Sequence, residues 1–283
     1  MTHAYELGMY EKAVPSSMTW LEKLSTAKNA GYDFVEISID ETDEKLARLD
    51  MSLSERIEFI KTMEAAGIFV RSMCLSGHRK YPLGSGDAAT EKRSLEIMQK
   101  AIQFAADVGI RIIMLAGYDV YYEESTAQTT ARFERNVRAS VEMAASAGVL
   151  LAFETMETPF MDTVAKARQH VDAVHSPYLQ IYPDLGNITN AAHIYGTSAV
   201  DDLESGRGAL AGVHIKETVP GKYREIPFGT GHVDFKTLLA KSWSLGVRRY
   251  VTELWYANND DWQERLVEAV QLARGILDMN KSH

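Results

Sequence analysis

Gly148-Val149-Leu150-Leu151-Ala152-Phe153-Glu154 is the stretch on which the fold turns. Its glycine follows a segment with helical spacing, and the apolar residues after it read as a short buried strand that ends in a carboxylate. The same order recurs along the chain, with Gly31, Gly67, Gly109 and Gly246 at equivalent junctions, where glycine supplies the left-handed backbone that ends a helix. Apolar, β-branched runs lie near Leu7 to Tyr10, Phe34 to Ile39, Ile68 to Leu75, Ile110 to Leu115, Val149 to Phe153, Leu179 to Tyr182, Ala211 to Ile215 and Tyr250 to Leu254. Between them, spacings such as Trp20, Leu21, Leu24, Ala27 and Leu95, Met98, Ile102, Ala105 put apolar groups on one face of a helix. Strand then helix, repeated eight times at even intervals, predicts parallel βαβ units closed into a (β/α)8 TIM barrel; an open doubly wound sheet is the alternative that the even spacing disfavours.

Nothing in the 283 residues divides the chain, so residues 1–283 are expected to form a single domain. Hydrophobic residues make up 46% and charged residues 24%, enough for a large core and no disordered bulk. A formal net charge of −9 repels nucleic acid and anionic membrane, which leaves a small ligand as the expected partner. Cys74 is the only cysteine, which suits a reducing compartment and points to the cytoplasm. The first twenty residues carry Glu6, Glu11 and Lys12 without an apolar run, and no stretch of 18 apolar residues occurs, so neither secretion nor membrane insertion is expected.

A barrel of this kind carries its active site at the C-terminal ends of the strands. The last four runs each finish in a candidate metal ligand: Glu154, Asp184 after Ile181-Tyr182-Pro183, His214 after Gly212-Val213, and Glu253 after Val251-Thr252. Any one of these alone is more simply a solvated loop residue or a helix cap. Strand ends in a closed sheet converge, however, and three carboxylates meeting at one point would repel one another unless a cation neutralised them. The set therefore implies one divalent metal ion; oxygen donors with a single imidazole suit Mn²⁺, Co²⁺, Mg²⁺ or Zn²⁺. Glu157 and Glu217, three residues beyond two of these positions, are expected to face solvent. Tyr10, Tyr118, Tyr121, Tyr122 and Trp255 are candidates for the pocket wall, with packing as the plainer reading, and His193 and His232 read as loop residues.

Longer motifs surround these residues: Gly8-Met9-Tyr10-Glu11-Lys12-Ala13, Met73-Cys74-Leu75-Ser76-Gly77-His78-Arg79, Leu115-Ala116-Gly117-Tyr118-Asp119, Tyr182-Pro183-Asp184-Leu185-Gly186-Asn187 and Pro227-Phe228-Gly229-Thr230-Gly231. Over nearly its whole length the chain resembles the L-ribulose-5-phosphate (L-xylulose-5-phosphate) 3-epimerases of L-ascorbate breakdown, in the xylose-isomerase-like barrel superfamily. The resemblance implies that Glu154, Asp184, His214 and Glu253 hold the metal. It also implies that Glu154 and Glu253 form the proton-transfer pair that inverts carbon 3 through an enediolate. Epimerases of free ketoses place a histidine three residues after the aspartate and an arginine six after the histidine; here those positions hold Asn187 and Pro220, which argues against a free ketohexose.

Cations available to a phosphate are Lys216, the first choice, with Arg79 and Lys80 after the third strand, Lys12 after the first, and Lys222. His78 and Asn187 are further candidates for substrate contact, and the Gly229-Thr230-Gly231 turn is a weak candidate for phosphate binding through its amides. A homodimer is expected, since such barrels often pair through their helical exterior.

Rival readings are a related sugar isomerase or dehydratase, a non-catalytic sugar-phosphate-binding barrel, and a DNA-repair endonuclease. The last needs more strand-end histidines than this chain supplies, because His3, His170, His175 and His283 lie off that face.

Overall fold

The structure, a computed structural model, describes residues 4–281; His3 and His283 lie outside the described residues. Eight strands alternate with helices: β1 Glu6–Tyr10, β2 Phe34–Ile39, β3 Phe69–Leu75, β4 Ile112–Ala116, β5 Leu150–Glu154, β6 Leu179–Tyr182, β7 Val213–Ile215 and β8 Arg249–Thr252. The α-helices among the described residues are α1 Trp20–Ala30, α2 Asp43–Ala47, α3 Leu53–Ala66, α4 Ala88–Val108, α5 Ala127–Ala147, α6 Val164–Val174, α7 Leu185–Tyr195, α8 Ala199–Ser205, α9 Phe235–Ser244 and α10 Trp262–Asn280. That is two more than one helix per gap, because α2 and α8 are short extra turns inserted after β2 and before β7.

The helix ends follow from local chemistry. Thr19 with Glu22 and Ser52 with Glu55 each form a capping box, satisfying free amides at the starts of α1 and α3. At the other end Gly31, Gly67, Gly109 and Gly148 take the left-handed conformation that their spacing predicts.

All strands run parallel in the order β6-β5-β4-β3-β2-β1-β8-β7. The two outer strands then meet through isolated parallel bridges, Ile181 with Leu210 and Asp184 with His214, which bring the sheet round into a nearly closed barrel. The β7 apolar run is shorter as a strand than its sequence suggests, since Ala211 bonds to Ile181 outside a regular ladder.

The main core lies between sheet and helices. A second cluster fills the barrel interior, with Phe34, Cys74, Met114, Ala152, Tyr182 and Val251 contributed by different strands. Gly8 is glycine because a Cβ there would stand 2.4 Å from the Phe34 ring. That ring is fully buried, and burying an aromatic side chain of this size stabilises the fold by about 2–3 kcal/mol. This layer is the floor beneath the strand ends.

Candidate active site

Above that floor, Glu154 ends β5, Asp184 and Glu253 follow β6 and β8, and His214 lies within β7. One ligand atom from each lies within 4.8 Å of the other three, and all four side chains are buried. His214 Nδ1 is 2.9 Å from Glu253 Oε2, 3.2 Å from Glu154 Oε1 and 4.0 Å from Asp184 Oδ2. Asp184 caps α7: its Oδ1 accepts the Asn187 amide at 2.7 Å. Its Oδ2 is buried, receives no well-directed hydrogen bond and lies 2.9 Å from Lys216 Nζ. The indole of Trp255 donates to Glu253 Oε1 at 3.1 Å, so this carboxylate too is held by one oxygen while the other faces inward.

The electrostatics are those of crowded acids out of water. Burial pushes Asp184 up to about 8; Lys216 opposes the shift, and Glu253 and Glu154 add to it. Burial likewise raises Glu154, against the pull of His214. Glu253 also loses hydration, but Lys216 and His214 outweigh that loss and hold it well below the ordinary range. Burial would depress His214, yet Glu36, Glu154 and Glu253 around it push it well above. A donor set of three buried carboxylates and one imidazole whose ligand atoms lie within 4.8 Å of one another fits a divalent cation.

Beneath His214 sits a group that the sequence reading missed. Glu36, on β2 and fully buried, lies with Oε1 2.7 Å from His214 Nε2, and its other oxygen accepts from Ser72 Oγ at 2.7 Å. This fixes the ring and directs Nδ1 to the centre, as a carboxylate behind a ligating histidine does. The signal was present, since a glutamate inside Phe34-Val35-Glu36-Ile37 is costly unless paired.

The other sequence candidates separate into two groups. Lys12, Arg79, Asn187 and Lys216 line one cleft with Glu154 and Glu253. A neighbouring hollow continues past Lys216, Arg224 and Trp255 to Phe228 and Trp262. Lys12 is ion-paired with Asp40 at 2.6 Å, and Asn187 donates to the Thr155 carbonyl while its Oδ1 stays without a partner. Lys216 is buried against Asp184 rather than standing out at the mouth of the cleft. His78 is turned away from the cleft: it is buried with Nε2 3.1 Å from the Ser94 carbonyl, and burial lowers its pKa to about 4.

Four expectations need correction. Glu217 does not face solvent; it is 2% exposed and accepts the amides of Thr218, Gly229 and Val233, bracing the loop after β7. That same bond uses the Gly229 amide, so the glycine turn serves Glu217 and is not free for a phosphate; a Cβ on Gly231 would lie 2.1 Å from the Thr218 carbonyl oxygen. Glu157 is partly buried and ion-paired with Arg224 at 2.7 Å. His193 lies on α7 rather than in a loop. Of the aromatic candidates, Tyr10 and Trp255 line the cleft, Tyr118 is buried, and Tyr122 is 68% exposed.

A family model described as a xylose isomerase-like TIM barrel matches residues 24–274. The chain is 45% identical over 266 residues to the L-ribulose-5-phosphate 3-epimerase UlaE of Shigella sonnei (strain Ss046), across 93% of this chain and 92% of that protein. It is 46% identical over 258 residues to the protein of that name from Escherichia coli O157:H7, across 90% and 89%. Among solved structures, a D-psicose 3-epimerase in the presence of D-fructose superposes with a TM-score of 0.80 at 16% identity, over 96% of this chain and 99% of that one. An L-ribulose 3-epimerase does so with a TM-score of 0.80 at 18% identity, over 98% and 96%; both likenesses show the fold. With the barrel, the strand-end cluster and relatives of this similarity in hand, the chain belongs to the L-ribulose-5-phosphate 3-epimerase family of xylose isomerase-like TIM barrels.

Proposed function

We propose that the chain is a metal-dependent L-ribulose-5-phosphate 3-epimerase, an isomerase that inverts carbon 3 of a pentulose phosphate. The observation that carries the reading is the convergence of Glu154, Asp184, His214 and Glu253 on one point in a cleft at the strand ends, in a chain 45% identical to an enzyme of that name. Those four side chains would hold one divalent ion, Mn²⁺, Co²⁺, Mg²⁺ or Zn²⁺, which when bound supplies a Lewis acid for the oxygens on carbons 2 and 3.

The rest is work for the protein's own groups. Inversion takes a proton from one face of carbon 3 and returns one to the other, so it needs two proton carriers on different sides of the sugar. Glu154 and Glu253 stand three strands apart in the barrel order and both reach the centre, which suits them to these roles. One carboxylate takes the C3 proton, the electron pair moves into the C2 carbonyl to give a planar enediolate, and the other carboxyl returns a proton from the opposite face. Their roles exchange with the epimer that enters. Asn187, with its free Oδ1, and Lys216 are placed to hold sugar hydroxyls, while Tyr10 and Trp255 exclude water.

Chelation followed by restoration of single divalent ions tests this, with deuterium followed by NMR at each carbon of L-ribulose 5-phosphate in D2O. Wash-in at C3 with appearance of L-xylulose 5-phosphate is expected. Label at C1 would indicate an aldose–ketose isomerase, loss of water a dehydratase, and binding without exchange a sugar-phosphate sensor.

No helix among the described residues is long and apolar enough to cross a membrane. Together with the lone buried cysteine, this supports a cytoplasmic enzyme. We take residues 1–283 as one catalytic domain and the working form as a homodimer, which sedimentation equilibrium checks.

A further inference from the structure

Inversion at carbon 3, the reading on which this inference rests, depends on where the two proton carriers stand. We propose that Glu11, which lines neither the ion site nor the cleft, is a positioning residue. It fixes the turn after β1, and through Trp255 it sets the place of the Glu253 carboxylate.

The turn Glu11–Ala13 is three residues long and has no capping side chain, so contacts from elsewhere must fix its course. Tyr10 and Lys12, on either side of Glu11, line the cleft, while Glu11 itself is 1% exposed. Its Oε1 accepts from Lys23 Nζ of α1 at 2.9 Å and from Lys45 Nζ of α2 at 2.7 Å. Its Oε2 accepts from Arg48 Nη1 at 2.7 Å and from the Ser38 amide of β2 at 2.9 Å. A carboxylate offers about four acceptor positions, and here all are taken. Buried polar networks satisfied in full hold a single arrangement rigidly.

On the cleft side, the two flanking residues grip Trp255. The Tyr10 ring meets it edge-on at 6.0 Å between centres, and the Lys12 ammonium lies 4.9 Å from the centre of its ring. The Lys12 carbonyl also accepts the amide of the next residue, Tyr256, at 2.8 Å. Both grips are tied back to the end of β2: the Tyr10 hydroxyl donates to Ser38 Oγ at 3.3 Å, and Lys12 pairs with Asp40 at 2.6 Å.

Trp255 in turn donates its indole N–H to Glu253 Oε1 at 3.1 Å. Glu253 and Trp255 lie in irregular chain between β8 and α10, where tertiary contacts alone can fix side chains. A displaced turn therefore reaches Glu253 through touching groups, without any contact between Glu11 and the sugar. Misplacing a reacting group by about 1 Å is enough to cost about a hundredfold in rate.

The test uses the metal-loaded enzyme and the variants Glu11→Gln, Trp255→Phe and the two combined. A milder variant, Arg48→Gln, leaves Glu11 its two lysines and carries the same tests if Glu11→Gln does not fold. Metal content and thermal melting show which variants are folded and loaded. Glu11→Gln is expected to lower kcat on L-ribulose 5-phosphate about 10- to 100-fold with KM within about threefold, and Arg48→Gln to lower kcat about three- to tenfold. A purely structural role would leave kcat of the folded, loaded enzyme unchanged. If Glu11 acts through Trp255, adding Glu11→Gln to Trp255→Phe costs less than about a further threefold.

A second readout needs no activity. With 5-fluorotryptophan incorporated, fluorine NMR of the metal-free protein resolves its four tryptophans, and Trp255→Phe identifies the resonance of Trp255. Glu11→Gln and Arg48→Gln are expected to shift and broaden that resonance. Trp243, stacked on Arg248 near the other end of the strands, is the control that stays in place. A Trp255 resonance that does not move overturns the proposal, as does an equal loss of kcat from Glu11→Gln with and without Trp255. If the wild type moves no deuterium into C3, the epimerase reading fails, and the fluorine spectra still decide whether Glu11 holds Trp255.

Discussion

Glu253 and Asp184 share one arrangement, in which an oxygen fixed by the protein leaves the other to face the centre. His214 follows the same logic through Glu36, and the cost of losing such a backing group is measurable. Glu36→Gln is expected to weaken metal binding about 10- to 100-fold, read by competition with a chelator, while His214 itself remains. Unchanged affinity would mean that Glu36 merely fills the barrel floor. For the proton carriers, Glu154→Gln and Glu253→Gln are each expected to lower turnover at least about a hundredfold. Because both are also placed to bind the ion, metal occupancy must be measured alongside; full turnover with full occupancy removes that residue from the proton path.

At the scale of the element, the turn after β1 is held by a buried carboxylate with an unusual retinue. Glu11, 1% exposed, meets Lys23 from α1 at 2.9 Å, Lys45 from α2 at 2.7 Å and Arg48 at 2.7 Å, and also accepts the Ser38 amide. Burial would raise its pKa, but Arg48, Lys45 and Lys23 overcome that and lower it from 4.5 to about 2. A depressed folded pKa means stabilisation that is complete above pH 4.5 and is lost as the pH falls toward about 2. The shift corresponds to about 3 kcal/mol. Glu11→Gln leaves three cations facing a neutral group and is expected to cost about 3–5 kcal/mol at neutral pH. Its stability, followed by urea unfolding, should also lose most of the acid dependence that the wild type shows in this window.

A helix start and a ligand coincide at Asp184, which separates two effects by substitution. Asn is as good a cap as Asp, so Asp184→Asn is expected to keep α7 and lose metal affinity. Asp184→Ala should lose the metal and about a further 1 kcal/mol of stability.

For the whole molecule, the bridge between Asp184 and His214 joins the first and last strands of the sheet order, so the proposed ligands also close the barrel. An ion bound there ties together residues from β5, β6, β7 and β8 and neutralises acids whose mutual repulsion the folded state otherwise bears. Saturating the stripped protein at a hundred times Kd is expected to stabilise it by about 2.7 kcal/mol, a rise in Tm of roughly 5 °C for a chain of this size. Calorimetric melts with and without the ion check this; identical melts at demonstrated occupancy would mean that the cluster contributes nothing to closure.

Periodicity, glycine junctions and the polar residue ending each late strand were enough to determine the eight-stranded barrel and to single out Glu154, Asp184, His214 and Glu253. These are consequences of local geometry: a parallel barrel brings strand ends together wherever its helices lead. The tertiary structure alone decided which charges answer one another. Glu36 lies 178 positions from His214, and Arg224 lies 67 from Glu157. Lys216, equally cationic on paper, turned inward to Asp184 while Arg79 and Arg224 stayed on the cleft wall. Pairing of this kind depends on distances of a few ångströms between segments remote in the chain, and a charge carries no mark in the sequence of the partner that folding will give it.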